Sequence, residues 1–566
     1  MRRSRRIPRP LLVLLATTLV CGLAWAFAVP ALQGADEGAH FGYVQKIADA
    51  GEIPWRRDER GLRQAAFGAS VSTEQQVAWV WAGLEPLRGN VAARPLWTGA
   101  DERIWAARAA RLSPADRADG VGTNAFLNPP LYYLSAAGPY EIAGGTFFDR
   151  LYAMRLYSVV LLLGTVVFTW LLAGEIFGRR RELQTLAAAA VALQPVLLDV
   201  TTRVTPDALL IPLCAAALYL MAVIAQRGPR WRTVLTLAVV VTAAAFTQGR
   251  ALGLVAPAVF AVGVGWWRWR PWPRAARSAE RASAAAGSAA SDVPPGSAVP
   301  TGSAERAFAA AGSAASDVPP GSGVPIGSAV PTASPASTGS AVPAASAAPT
   351  TSVVASPGRR RSRWRPAVAA AWVGGAIVVL VVVAVWATRF RFGELTGFWS
   401  YLWQFYLPKL PGMHAPVGSE WGVQQVYLDR FFGTFVQFEV GFPRDLLDAI
   451  RAAIWVALAL IAVALWRRRR LVAECAPALL VLIVAAVLLI LSLHAAAFRS
   501  LLVNPADPVI TGRYLLMLVP LYGLAIAGAT TALPGRIRAA AGGAVLAALV
   551  LLQLSAFGLV VARFYA

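Results

Sequence analysis

Long apolar runs alternate with short polar breaks along most of the chain. Runs at 11–32, 152–177, 183–200, 207–225, 234–246 and 251–267 are followed by others at 367–387, 452–466, 476–498, 514–533 and 539–561. Helices of this length and composition cross bilayers, so the pattern predicts an all-α polytopic membrane protein with about eleven transmembrane helices. Two stretches between runs, 33–150 and 388–450, are too long to be plain connectors. The first carries helical periodicity: Phe41, Val44, Ile47 and Ala48 form an apolar stripe within 36–50, ended by Gly51 and Pro54. Ser72-Thr73 with Gln76 at capping-box spacing opens a second helix bearing Val77, Val80, Trp81 and Leu84, and 101–112 reads as a third. Residues 131–148 are also apolar, but Pro129-Pro130, Pro139 and Gly144-Gly145 build a continuous span poorly. That segment is expected to be juxtamembrane or re-entrant.

Charge orients the pattern. The net charge is +22, and Lys46 and Lys409 are the only lysines. Arginine gathers at 179–181, 227–232, 359–365, 467–470 and 536–538, in alternate loops, as positive-inside topology requires. With the N-terminus inside (Arg2, Arg3, Arg5, Arg6), every strong cluster falls on the cytoplasmic side; counting 131–148 as a span would put the later clusters outside. This distribution argues against nucleic acid as the reason for the charge. Both long stretches become extracytoplasmic loops with juxtamembrane helices, in which Trp55, Trp79, Trp81, Trp97 and Trp105 suit the headgroup level. The first run reads as an uncleaved anchor, although the small residues at 24–28 would also suit a signal-peptide cleavage site. Cys21, Cys214 and Cys475 all fall in apolar runs, so no disulfide framework follows. Arginine in place of lysine and abundant alanine suggest a high-GC bacterial source.

Residues 271–365 are rich in Ala, Ser, Pro and Gly, and 278–302 is repeated almost unchanged as 303–327. Such a segment buries too little apolar surface to offset its ordering entropy. It reads as a disordered cytoplasmic linker between an N-terminal membrane module, 1–270, and a C-terminal one, 366–566; a recruitment tail is the functional alternative.

The unusual residues lie on the outer side. Asp36-Glu37-Gly38-Ala39-His40 follows the first run at once, and ionisable groups at a membrane boundary are functional candidates. Asp36 and His40 share a helix face at i,i+4, though Asp36 as a simple N-cap with an interfacial His40 explains the same spacing. Other outer polar positions are Arg203 and Asp207, Gln248 and Arg250, then Asn504, Asp507 and Arg513 before Tyr514. Trp399, Trp403, Tyr406, Lys409, His414 and Glu439 occupy the second loop. Phosphate-loop, dinucleotide and His-Glu-x-x-His signatures are absent. Three scattered histidines make no metal cluster, while carboxylates such as Asp36 and Glu37 leave Mg²⁺ or Mn²⁺ open.

The first run with its acidic pair, the long outer loop, and Asn128-Pro129-Pro130-Leu131-Tyr132-Tyr133 before the next run together resemble the GT-C superfamily of integral-membrane glycosyltransferases. More narrowly, Asp36-Glu37-x-x-His40, Thr205-Pro206-Asp207-Ala208-Leu209, the stretch from Phe431-Phe432-Gly433 to Pro443, and Thr511-Gly512-Arg513-Tyr514-Leu515 resemble a bacterial family of predicted membrane proteins of unknown function. That family is usually placed beside GT-C enzymes. Two departures are the linker and Ala35, where that pattern has proline before the acids.

The resemblance implies sugar transfer from a polyprenyl-phosphate donor to a cell-envelope glycan or lipid, on the extracytoplasmic face of a bacterial cytoplasmic membrane. It implies Asp36 as catalytic base, with Glu37 as support or metal ligand. Arg513 would hold the departing phosphate, preferred to Lys409 because a guanidinium grips phosphate bidentately. His40, Asn128, Asp207, Arg250 and Tyr514 are the further substrate-binding candidates. A transporter or lipid-sugar flippase is the alternative polytopic reading, and a non-catalytic envelope-assembly protein a third. The apolar runs show no convincing internal symmetry of the kind transporters often carry.

Overall fold

The first apolar run folds as α1 (Arg9–Ala28), and the chain turns at once into α2 (Glu37–Ala50). The computed structural model describes residues 7–55, 71–95, 98–120, 124–269, 392–406, 422–503 and 510–566. Its described residues within 1–270 and 370–566 form one compact unit. The linker at 271–365, the run at 367–387 and Trp97, Lys409, His414, Asn504 and Asp507 lie outside the described residues.

In the first outer segment, α3 (Thr73–Trp81) and α4 (Gly99–Ala109) follow α2. Phe41 and Val44 are fully buried, so the stripe on α2 faces the core. The cap of α3 sits one residue earlier than its spacing suggests. Ser72 is the N-cap and accepts from the Gln75 amide, while the Gln76 side chain bonds the Val71 carbonyl instead. The ambiguous segment is α5 (Leu131–Ala143). Its 13 residues extend about 20 Å, short of the roughly 30 Å hydrocarbon core. Gly144 and Gly145 end it with positive φ, and a Thr146–Asp149 capping box starts α6 (Phe147–Ile176).

The expected helix at 183–200 is broken. α7 (Arg181–Ala192) and α8 (Pro195–Thr201) meet at a 57° bend, because Pro195 lacks an N–H and its ring clashes with the preceding turn. α9 (Asp207–Arg227), α10 (Trp231–Thr247) and α11 (Val255–Trp269) complete the first part. After it come α12 (Phe392–Tyr406), a strand pair β1 (Thr434–Phe435) and β2 (Val440–Gly441), α13 (Arg444–Arg467), α14 (Arg469–Val503), α15 (Val519–Thr530) and α16 (Gly535–Tyr565).

Eight of the described helices, two of them including a 3₁₀ first turn, are long and apolar enough to cross a membrane. The bent α7–α8 pair makes a ninth, and α10 is a shorter apolar helix. The remaining expected span, 367–387, lies outside the described residues.

α9 sits at the centre, packed against α6, α10, α11 and α14, while α15 packs on α7. Polar contacts mark two ends of this bundle. At one end Arg227 meets Glu175, Cys475 reaches the Ile176 carbonyl, and Arg468 donates to the Thr531 carbonyl at 2.8 Å. The arginine-rich turns gather there. At the other end lie the α1–α2 turn, the start of α9 and the approaches to α11 and α15, which supply the site.

Candidate functional site

The adjacent acids Asp36 and Glu37 have opposite fates. Glu37 is the first residue of α2, and its carboxylate is wholly buried. Arg155 grips it bidentately, Nε to Oε1 at 2.7 Å and Nη2 to Oε2 at 2.6 Å, and the Val204 amide donates to Oε1 at 3.2 Å. Arg155 also donates to the carbonyls of Ala26, Val29 and Pro30, so all five of its N–H groups are used. These are carbonyls that the end of α1 leaves without helical partners. Burial by itself would raise the Glu37 pKa, but the Arg155 guanidinium holds it below the usual carboxylate value.

Beside this pair, Arg203 donates to the Trp25 carbonyl and to Asp199, whose other oxygen accepts from the Val436 amide. Gly34 allows the close approach: a Cβ there would stand 2.8 Å from Arg203 Cδ. Glu37 is thus held as a structural clamp, with both its oxygens engaged. Among the described residues no group of three or more His, Cys, Asp or Glu gathers to hold a metal ion.

Asp36 instead opens outward. It holds a left-handed backbone (φ 58°), uncommon for a residue other than glycine, and makes no side-chain cap bond. Its side chain is 36% exposed and takes one bond from Arg513 Nη2, at 3.1 Å. Burial pushes its pKa up, but Arg513, together with His40 and Arg88, more than offsets this and the carboxyl lies below its ordinary value.

Five more expected residues join Asp36 and Arg513. His40 lies one turn along α2, and its Nδ1 is 2.9 Å from the Tyr133 hydroxyl. Asn128 Nδ2 donates to the same hydroxyl at 3.3 Å, and Tyr43 stacks on the Tyr133 ring at 3.8 Å. Asp207, the first residue of α9, pairs with Arg250. Tyr514 supplies the platform: the Arg250 and Arg513 guanidiniums lie 4.1 and 5.4 Å from its ring centre. Gly512 permits this turn, since a Cβ there would meet the Tyr427 carbonyl at 2.5 Å and the Phe431 nitrogen at 2.6 Å.

The structure thus brings together Asp36, His40, Asn128, Asp207, Arg250, Arg513 and Tyr514. Lys409 lies outside the described residues. Sequence reasoning missed Arg155 as the partner of Glu37. The available signal was an arginine early in the span that runs to Phe177, where a lone charge requires an opposite one.

Burial pushes His40 down to about 4 from 6.5, although Asp36, Asp207 and Glu37 pull upward; Arg513 adds to the depression. The ring is therefore neutral at pH 7. Between the two values the unfolded chain binds more protons than the folded one, so stability falls as pH drops from 6.5 toward 4. The loss should be on the order of 3 kcal/mol if no other group compensates. Thermal unfolding of His40→Gln from pH 7 to 5 should show a flatter dependence than the parent; equal slopes would contradict the assignment.

An open apolar groove of about 450 Å³ runs beside the site between α5 and α10. Leu131 and Leu134 line one wall; Val239, Ala243 and Phe246 line the other. α5 turns Tyr133 inward to His40 and Leu134 outward to the groove, while α10 ends three residues before Arg250.

The bundle of apolar helices with charged groups at its ends defines a polytopic membrane protein. Family comparison agrees: residues 19–302 match the model described as "Predicted membrane protein (DUF2142)", and the chain belongs to that family. No curated protein and no solved structure matches the chain. Asp36, Glu37, His40, Asn128, Asp207 and Arg250 fall within the matched stretch, while Arg513 and Tyr514 lie beyond it.

Proposed function

We propose that the protein is a membrane glycosyltransferase of GT-C type, moving a sugar from a polyprenyl-phosphate donor to a hydroxyl of an envelope glycan or lipid. The reaction would take place at the extracytoplasmic face of a bacterial cytoplasmic membrane. The observation that carries this reading is a semi-exposed carboxylate, Asp36, paired with Arg513, whose guanidinium shares the Tyr514 ring with that of Arg250, with an apolar groove alongside. A lipid phosphate has this bipartite chemistry: an anion for the arginines and an apolar chain for the groove.

In the reaction, Asp36 takes the proton of the acceptor hydroxyl as its oxygen bonds to the anomeric carbon. The bond from that carbon to the phosphate oxygen breaks, and the lipid phosphate leaves with the electron pair. Arg513 and Arg250 stand where that negative charge grows. His40, neutral, would hold a sugar or acceptor hydroxyl. Charged groups at the helix ends rather than at mid-length favour surface chemistry over a transport pathway.

The test is transfer of radiolabelled sugar in membranes supplied with a panel of polyprenyl-phosphate sugars. Label in lipid or glycan that disappears with Asp36→Asn supports the reading. Equal transfer by that variant would sink the assignment of the base, and no transfer from any donor would weigh for transport or assembly.

The groove adds an independent expectation. Ala243→Phe should fill it and lower kcat/KM for a long-chain donor by about tenfold, as expected when a few apolar methylenes lose their place. A short-chain donor should be affected much less. Equal losses for both would mean that the chain binds elsewhere.

A further inference from the structure

Two turns at the site repeat one design. Gln248 and Thr511 are both extended, with φ of −158° and −154°. Each is followed by a Gly-Arg pair opening a 3₁₀ helix, Gly249–Leu254 or Gly512–Leu518, that leads directly into α11 or α15. The two arginines reach the same Tyr514 ring, and each is held by one carboxylate: Asp207 for Arg250, Asp36 for Arg513.

Buried donors and acceptors here remain unused. Nε of Arg250, Nε of Arg513, Oγ1 of Thr511 and Oε1 of Gln248 have no hydrogen-bond partner, and Thr511 is 6% exposed. Buried polar groups left unpaired at a site are costly unless a ligand completes them.

The two ion pairs are unequal. Asp207 and Arg250 are both buried, with side chains 6% and 11% exposed. Asp36 meets Arg513 through one 3.1 Å contact, from a strained backbone and with about a third of its side chain exposed.

We propose that the twin Gly-Arg turns form a single clamp for a lipid-linked phosphate, as the diester of the sugar donor and as the monoester that leaves, and that Asp36 is its built-in competitor. The incoming phosphate takes Arg513 from Asp36, and the freed carboxylate becomes the base. Arg250 stays anchored by Asp207 and supplies the fixed half of the clamp, with the Thr511 hydroxyl completing the phosphate's hydrogen bonds. The site then binds donor before acceptor, and Asp36 cannot act while the clamp is empty. This rests on the transferase reading for the role of the freed carboxylate, but not for the binding of phosphate.

The experiment measures binding of farnesyl monophosphate to the full chain in nanodiscs, with farnesol and inorganic phosphate as controls. Variants are Asp36→Asn, Arg513→Gln, Arg250→Gln and Thr511→Val, each checked for parental thermal unfolding. Losing a charge-assisted bond should weaken binding by about tenfold or more in either arginine variant. Thr511→Val should weaken it severalfold. Asp36→Asn should tighten binding by about tenfold because the competitor is gone, the reverse of what removing a ligand-binding or merely structural residue does.

Farnesol should not bind. Inorganic phosphate binding as tightly as the lipid would show a free-anion site and overturn the lipid assignment. Unchanged or weaker binding in Asp36→Asn would overturn the competition. Phosphate binding with this mutational pattern but no sugar transfer by the parent would leave the clamp standing and remove the transferase reading.

Discussion

Replacing Arg155 with methionine is expected to destabilise the protein by about 3–5 kcal/mol, the cost of breaking a buried ion pair from one side. The mutation strands the Glu37 carboxylate among residues that exclude water. It also releases the carbonyls of Ala26 and Val29 from Arg155 and leaves that of Pro30 to the Gln33 amide at 3.3 Å. Two elements should loosen together: the α1–α2 turn, which carries Asp36, and the Arg203–Asp199 contact beside it.

Thermal unfolding in detergent, followed by tryptophan fluorescence, gives the measurement. A second arm separates charge from packing. Combining Arg155→Met with Glu37→Leu should recover part of the loss, because no buried charge is then left unpaired. Equal stability of Arg155→Met and the parent would show that Glu37 is not held as described.

The pH dependence of this clamp has a definite sign. The folded Glu37 pKa is depressed below 4.5, so its stabilisation is present above that value and is lost as pH falls through the folded pKa. The parent should therefore lose stability at acid pH through Glu37 as well as His40. The glutamate contribution should disappear in the double variant.

Asp36→Asn should lower sugar transfer by about 10²–10⁴-fold, the range of a lost general base, while the protein stays folded. Asparagine keeps the shape and tolerates the left-handed backbone at position 36, so a folding defect is not expected. Asp36→Ala would confound base and backbone effects. The readout is label transfer in membranes at matched expression, alongside the unfolding temperature. Lost transfer with parental unfolding assigns the chemistry to the carboxylate; lost transfer with early unfolding would assign it to the turn.

The sugar-transfer reading and the clamp make linked but separable demands on this variant. Transfer should vanish while lipid-phosphate binding tightens. If both were lost, Asp36 would be a binding residue or a structural one.

Much of the architecture is legible in the chain. Apolar run lengths specify helices that can cross a bilayer, and arginine-rich breaks mark one end of the bundle. The structure shows those breaks meeting at Arg227–Glu175 and Arg468–Thr531. The helical stripe of α2 and the shortness of α5 are local properties, set by periodicity and by proline and glycine positions. The break between α7 and α8 was less legible because an apolar run conceals a bend; Pro195 was its one visible mark.

The candidate residues were visible individually as polar positions at the ends of apolar runs. Their pairing was not. Composition and spacing alone determined an all-α membrane protein whose unusual charges lie at one end, because burying or solvating a side chain depends mainly on its own chemistry. Only the tertiary structure decided which acid opens to the site and which is sealed. Asp36 and Glu37 are chain neighbours, yet one meets Arg513, 477 residues away, and the other Arg155, 118 residues away. Successive residues at a helix start point in different directions, and the partner waiting in each direction is supplied by the packing of distant helices.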